Sequence, residues 1–540
     1  MAISKKLRQR YNENSAKYFA VGIGAIIFLF MIFHWTRFLY KQYGLKSSRT
    51  IRVLKLPVVF ARFARRFLIR KLPGFVSAGH GLVFLGYIVT NVCITFLRID
   101  WTTLTGFAKR LGWVTLSNLV LVILLSLKNT PIAFLTAYSY ERLQPLHQIA
   151  GYTSVACMFM HAIVYIAAWD YSDSLDQLLE KNQIMGIVAG LSLLAILVTP
   201  LLRKKQYELF YILHIILAIL ILITAALHRP NLKQNSSYAI VFCGTVWVLD
   251  RLIRVSKLSI YRLGNKATLT PLPHGGTRIV LRKSPMGARA GMHLWLHLPS
   301  VRKVELHPFT IVSTKPLELV VVAQDGFTRG VYAHAIENPG IEISASVDGP
   351  YGSVPDFRHL DRVVFIAGGS GGSHIAGVAV DLLRKLGDDS SIAIEFIWVV
   401  RHTEMLTWFE TYLAELCSSA RVNMRIHVTH HVTASASTSS SGLDEKAPSL
   451  PISTDDEEKA IPCSSKEIHS SARDLYTILD GRPDILAVIS NNVANASKSD
   501  RVAVIACGPG GMMLEVRKAV ADNLRIEGPS LELHSEHFGW

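Results

Sequence analysis

Four histidines stand at one repeated spacing in two otherwise apolar stretches. His147 and His161 lie in LHQIAGYTSVACMFMHA, and His214 and His228 in LHIILAILILITAALH, each pair fourteen positions apart. On an α-helix that interval rises about 21 Å and ends about 40° short of four full turns, so each pair shares a face. The rise fits within a hydrocarbon core about 30 Å thick. Neutral imidazole is a good iron ligand, and a flat iron macrocycle clamped between two helices takes one histidine from each. Separate histidines facing a bundle interior would need only a hydrogen-bond partner, and nothing would make them recur at matched depth. The spacing predicts two bis-histidine haems, one above the other.

Two glycine-rich segments carry a second chemistry. GGSGGS, Gly368 to Ser373, ends the buried-strand run VVFIAGG and precedes the helical pattern IAGVAVDLLRKL, after which SIAIEFIWVV reads as another strand. Strand, glycine turn and helix in that order make a βαβ unit of the dinucleotide-binding kind, whose helix amides receive phosphate. An ordinary tight turn explains glycines but not this placement. Arg401, closing the next strand in WVVRH, suits a 2′-phosphate and favours NADPH, with a solvated surface arginine as the plainer reading. VAVIACGPGGMM is a further strand and glycine turn, with Cys507 at its tip. No nucleophile or acid/base dyad is required, so the catalytic work falls to electron-transfer cofactors alone.

The elements that must position these residues fall into two halves. Half of the 540 residues are hydrophobic and the mean hydropathy is positive, a membrane composition. Seven bilayer-length windows lie near 18 to 40, 77 to 97, 112 to 128, 146 to 169, 183 to 202, 206 to 228 and 237 to 255. The third is short, interrupted by Lys128 and Pro131. The basic start MAISKKLRQR leads into a span too long and aromatic for a signal peptide and reads as a retained helix.

The net charge of +17 is placed so that it orients the chain in a membrane rather than serving nucleic acid. Basic residues gather at 41 to 71, at Arg203, Lys204 and Lys205, and at Arg251, Arg254 and Lys257, whereas the loop with Asp170, Asp173, Asp176 and Glu180 is acidic. Those alternate sides put the C-terminal half in the cytosol and the N-terminus outside, the loop at 41 to 71 outweighing Lys5, Lys6, Arg8 and Arg10. Because one span separates the two histidine helices, they run parallel. His147 then pairs with His214 at an inner level, and His161 with His228 at an outer one. The cysteines at 93, 157, 243, 417, 463 and 507 show neither metal spacing nor a disulfide framework.

From residue 258 short alternating runs such as ATLTPL, TRIVLR and MHLWLHL, broken by turn signals, predict a small antiparallel barrel to about 355. An α/β nucleotide domain follows over 356 to 540. Within it, the serine-rich, acidic stretch at 432 to 475 lacks the apolar content to fold and reads as a disordered insertion.

Further motifs stand in a fixed order: HPFT at His307 to Thr310, GFTR at Gly326 to Arg329, DGPYG at Asp348 to Gly352, then GGSGG, CGPGG and a terminal HFGW. With the histidine helices these resemble the ferric reductase and NADPH oxidase superfamily, most nearly its fungal ferric-chelate reductases, over nearly the whole chain. The resemblance implies a multi-domain membrane protein: an α-helical bundle with two haem b groups on His147, His161, His214 and His228 at 1 to 257, then a FAD-binding barrel and an NADPH-binding α/β domain of the ferredoxin reductase kind. It implies FAD contacts from His307, Pro308, Phe309, Thr310, Ile311, Val312, Ser313 and Thr328. Trp540, with Phe538 second, would cover the flavin until nicotinamide displaces it. NADPH would meet Gly368, Gly369, Ser370, Gly371, Gly372, Arg401, Cys507, Gly508 and Pro509.

The activity so implied is a transmembrane metalloreductase taking electrons from cytosolic NADPH to Fe(III) chelates or siderophores, and to Cu(II), for iron uptake. Its partners would be membrane lipid and an iron permease or oxidase, with no nucleic acid. Its address would be the plasma membrane, with vacuole or endoplasmic reticulum as the internal alternative. A superoxide-generating NADPH oxidase is the competing reaction, disfavoured because oxidases of the family often shorten the second histidine interval by one. A non-enzymatic cytochrome subunit would leave the flavin and nucleotide motifs unexplained. Arg229 and Lys233 are candidates for attracting an anionic chelate on the outer side, or interfacial anchors.

Overall fold

The computed structural model describes residues 4–43, 63–75, 77–136, 140–203, 205–229, 235–387, 391–430, 476–525 and 528–536. The expected insertion at 432 to 475, Lys204, Lys233, Phe538 and Trp540 lie outside the described residues.

Among the described residues, seven long helices fill the first half: α1 (Lys5–Tyr43), α2 (Ala78–Phe96), α3 (Leu104–Ser126), α5 (Tyr140–Tyr171), α6 (Lys181–Val198), α7 (Tyr207–His228) and α8 (Asn235–Ile260), with a short α4 (Pro131–Thr136). Ser77 and Thr103 cap α2 and α3 by accepting from the amides of His80 and Gly106, as N-cap hydroxyls do. Six of these helices, all but α8, are long and apolar enough to cross a membrane. The expected seventh span does form a helix, but Asp250, Arg251, Arg254 and Lys257 occupy its second half. Asp250 and Arg254 are buried against protein, where a charge is tolerable only with partners. The first span begins well before the expected residue 18, and the third extends back to Leu104.

Buried polar side chains tie the first helices together. Tyr87 donates to Asn118 Oδ1 at 2.6 Å, and Asn118 donates on to Asn91 at 2.7 Å. The buried Arg110 donates to Asn12 Oδ1 at 2.8 Å and to the carbonyl oxygens of Ile94 and Leu97 at 2.7 and 2.8 Å. Arg8 pairs with Asp100 at 2.7 Å. The start of α1 therefore lies beside the start of α3, at the end of the bundle remote from the soluble domains.

The second half begins with two antiparallel sheets. One has the order β5-β6-β2-β1-β7, the other β4-β3-β8, where β1 is Lys266–Leu272, β2 Gly276–Leu281, β3 His293–His297, β4 His307–Thr310, β5 Ser313–Thr314, β6 Leu317–Val322, β7 Glu342–Ser344 and β8 Ser346–Tyr351. Alternate residues such as Leu269, Ile279, Leu294, Leu296 and Leu319 fill their common core, with α9 (Phe327–Glu337) packed on it, the period-two pattern of half-buried strands. A six-stranded parallel sheet follows, ordered β12-β11-β10-β9-β13-β14. Its strands are β9 (Arg362–Gly368), β10 (Ala393–Val400), β11 (Val422–Val428), β12 (Thr477–Asp480), β13 (Arg501–Cys507) and β14 (Ser530–Glu536), joined by helices α10 (Gly372–Lys385), α11 (Glu410–Cys417), α12 (Ile485–Ala494) and α13 (Gly510–Asn523). The architecture is the expected one: membrane bundle, antiparallel barrel, then α/β sheet.

Candidate functional site

The four histidines sit on α5 and α7. These helices pack chiefly on α3 and α6 rather than on each other, leaving the histidine faces across a gap. Each ring is fixed through Nδ1. His147 meets the Val122 carbonyl at 3.0 Å and His161 the Ala108 carbonyl at 2.7 Å, both on α3. His228 meets the Asn182 carbonyl at 2.8 Å, and His214 meets Thr199 Oγ1 at 3.1 Å. With Nδ1 engaged, Nε2 is the ring nitrogen left for a metal, the arrangement that orients histidine ligands.

The rings fit a bis-histidine iron. Two imidazoles on one metal, at about 2 Å per bond, hold their centroids roughly 6 Å apart. The His147 and His214 centroids are 6.4 Å apart, and His147 and His214 are the pair expected at the inner level. Behind the outer pair, two glycines make room. A Cβ at Gly112 on α3 would lie 2.9 Å from His161 Cε1, and one at Gly186 on α6 would lie 2.5 Å from His228 Nδ1. Reading the sequence missed both glycines, along with Thr199. The only signal was a small residue inside an apolar helix, a common packing feature of membrane bundles.

In the barrel, β3 lies between β4 and β8. His307, Pro308, Phe309 and Thr310 form β4, all half-buried, and Pro308 pairs with Trp295 in register. His307 and Phe309 flank the buried Phe327, with ring centroids 4.5 and 6.1 Å away. Ile311, Val312 and Ser313 follow and are buried. Thr328 is occupied locally: its hydroxyl accepts from the Gln324 amide at 3.0 Å and lies 3.3 Å from the Asp325 carbonyl.

The two glycine loops converge. Gly368 ends β9 and Cys507 ends β13, neighbouring parallel strands. From β9 the sheet runs to β10 on one side and β13 on the other, so a crevice opens at their carboxyl ends, where such sheets bind ligands. A Cβ at Gly371 would lie 2.2 Å from the Cys507 carbonyl oxygen, and one at Gly508 3.1 Å from Gly368 Cα. Backbone thus meets backbone. Trp398 donates from Nε1 to the Gly369 carbonyl at 3.0 Å, and Gly369 has φ +53°, a conformation glycine adopts without strain. Gly372 opens α10, while Ser370 stays exposed. Burial pushes the Cys507 thiol above its ordinary pKa, which suits packing rather than nucleophilic work. Pro509 packs against Gly368, and Arg401 is exposed just past β10.

The barrel and the α/β sheet meet along α10. A Cβ at Gly377 would lie 2.5 Å from the Val312 carbonyl oxygen, and one at Gly291 2.4 Å from Val378. The segment following HPFT therefore rests directly on the helix that GGSGG opens.

This arrangement defines a class: a helical membrane domain with paired histidines, joined to a flavin-type barrel and a dinucleotide-type sheet. Three family models match the chain in that order. They are the ferric reductase like transmembrane component over residues 111–225, an FAD-binding domain over 264–355 and the ferric reductase NAD binding domain over 360–521. The chain is thus similar to ferric reductases in all three of its parts. It is 26% identical over 448 residues to the ferric/cupric reductase transmembrane component 1 of Candida albicans, covering 80% of this chain and 57% of that one. It is also 26% identical over 379 residues to a probable cell surface ferric reductase, kap2, of Aspergillus oryzae, covering 63% and 50%. With ferric reductase transmembrane component 6 of Saccharomyces cerevisiae it shares 25% identity over 476 residues, covering 82% and 63%. The chain thus spans between half and two thirds of the length of these relatives.

Proposed function

We propose that this chain is a transmembrane metalloreductase, drawing electrons from NADPH beside its soluble domains and delivering them to Fe(III) chelates, and to Cu(II), across the bilayer for iron uptake. The carrying observation is the pair of parallel histidine helices, each ring held through Nδ1, joined to a flavin-type barrel. FAD and two haem b groups, when bound, supply acceptance of a hydride and release of single electrons. The names of the Candida and Aspergillus relatives support the metal as acceptor and the cell surface as the address.

The chain's own residues do the positioning. His147 and His214 would hold the inner iron and His161 and His228 the outer one, and the α3 and α6 carbonyls fix three of those four rings. Pro308, Phe309 and Thr310 present the strand that receives the flavin. The amides at Gly369 to Gly372, at the start of α10, take the dinucleotide phosphates. Arg401 selects the 2′-phosphate.

NADPH-driven reduction of an Fe(III) chelate by the purified, haem- and FAD-loaded protein, with oxygen removed, tests this reading. Ferrous iron is expected to form. Its formation only in air, and its loss on adding superoxide dismutase, would make the protein an oxidase instead.

A further inference from the structure

We infer that Arg254 and Asp348, with Lys128, Trp295 and Tyr140, form a docking latch that sets the flavin barrel against the inner-haem end of the bundle. Arg254 and Asp348 are positioning residues for transfer between the two. The inference rests on the proposed relay and adds the residues that align its two halves.

Arg254, on the charged second half of α8, donates from Nε to Asp348 Oδ2 at 2.7 Å. Both side chains are buried, Asp348 completely. Tyr351 donates to the other carboxylate oxygen at 2.5 Å. A buried ion pair joining two domains is unlike an exposed one: removing one partner strands a charge where water cannot reach it. The Arg142–Glu536 bridge from α5 to β14, with both side chains substantially exposed, lacks that leverage.

The latch reaches both cofactor regions through short, stiff connections. On β3, Leu294 and Leu296 enter the barrel core, so His293 and Trp295 lie on the opposite face, toward the bundle. Trp295 pairs in register with Asp348 on one side and with Pro308 of HPFT on the other. Its Nε1 donates to the Tyr140 hydroxyl at 3.2 Å, and the Lys128 ammonium lies 3.0 Å from its ring centroid. His293 meets Glu141 at 2.7 Å. Tyr140 opens α5 and stands seven residues before His147, about 10.5 Å along one helix. Flavin strand, Trp295, Tyr140 and inner-haem ligand thus form one series of neighbouring elements, with the ion pair beside it. Domains within a chain move relative to one another unless something fixes them.

The test compares Arg254→Met with Arg254→Lys, and Asp348→Asn with wild type, in the full-length loaded protein. Stopped-flow spectra follow flavin bleaching and haem reduction separately after NADPH is added without oxygen. Hydrogen exchange of residues 346–351 and 254–260 in the cofactor-free protein gives a readout independent of turnover. Arg254→Met and Asp348→Asn are expected to leave flavin bleaching within about twofold and to slow haem reduction about 10- to 100-fold, the scale of an ångström-level misplacement. Exchange should rise in both segments, and Arg254→Lys should recover most of the rate. Trp295→Phe, which keeps the packing, should show a smaller slowing if the charge variants load cofactors poorly. Unchanged haem reduction and exchange would overturn the latch, as would equal slowing of flavin bleaching. Haems left oxidised in the wild type would instead overturn the relay reading itself.

Discussion

In the membrane half the candidate ligands are side chains, each steered by one hydrogen bond from outside its own helix: His161 from Ala108, His147 from Val122, His228 from Asn182 and His214 from Thr199. In the nucleotide half the converging atoms belong to the backbone, with Gly371 against the Cys507 carbonyl and Gly508 against Gly368. The difference follows from what each half is proposed to hold. Iron needs a particular donor atom, so residue identity matters and the scaffold only aims it. A dinucleotide phosphate needs amides and close approach, so the absence of side chains matters. The first kind of site should fail by loss of a ligand, the second by gain of a methyl group.

Gly371→Ala is the severest test of the second kind. Its Cβ would sit 2.2 Å from a main-chain oxygen, and rigid backbone cannot yield as a flexible side-chain end can. Overpacking of this sort costs about 1–3 kcal/mol or more. NADPH-dependent flavin bleaching is expected to vanish while haem content stays at the wild-type level. Normal bleaching would mean that the loops are not the nucleotide site.

His161→Ala comes next and breaks the first kind. The outer haem and transfer to the far side should be lost, with flavin reduction by NADPH intact. Haem-to-protein stoichiometry should fall from two to one. An unchanged two-haem spectrum would remove the ligand assignment. Gly186→Ala should act more mildly on the same level, because its Cβ would press on the His228 ring at 2.5 Å and the ring can shift. Haem retention on gel filtration should drop partially, whereas Gly244→Ala, with nothing within 4 Å of its Cβ, should behave as wild type.

The same contrast explains what was legible in the sequence. The histidines announced themselves because candidate ligands must be a particular residue at a helical period, and the glycine loops because strand, turn and helix are local in sequence. Their surroundings were not legible. Gly112, Gly186 and the carbonyls of Ala108 and Val122 act from neighbouring helices, and a carbonyl carries no residue signature. The charged half of α8 was legible as composition, yet its meaning depended on Asp348, 94 positions away. Thr328 was singled out by its motif, but the local bonds of its hydroxyl to the Gln324 amide and the Asp325 carbonyl were not legible.

Arg401 is where the comparison becomes finest, because here a side chain is proposed to serve the nucleotide half. It sits just past β10, where the His430 amide donates to its carbonyl at 2.9 Å, so its backbone is fixed while its guanidinium is exposed. A charge-assisted contact with phosphate is worth about 1.5–3 kcal/mol when shielded, and solvent and salt reduce it at an open site. Arg401→Ala should therefore raise the KM for NADPH by roughly three- to tenfold, leave that for NADH nearly unchanged, and lose much of its effect at high ionic strength. Equal shifts for both nucleotides would make Arg401 a surface residue, and the nucleotide half would then hold its ligand by backbone alone.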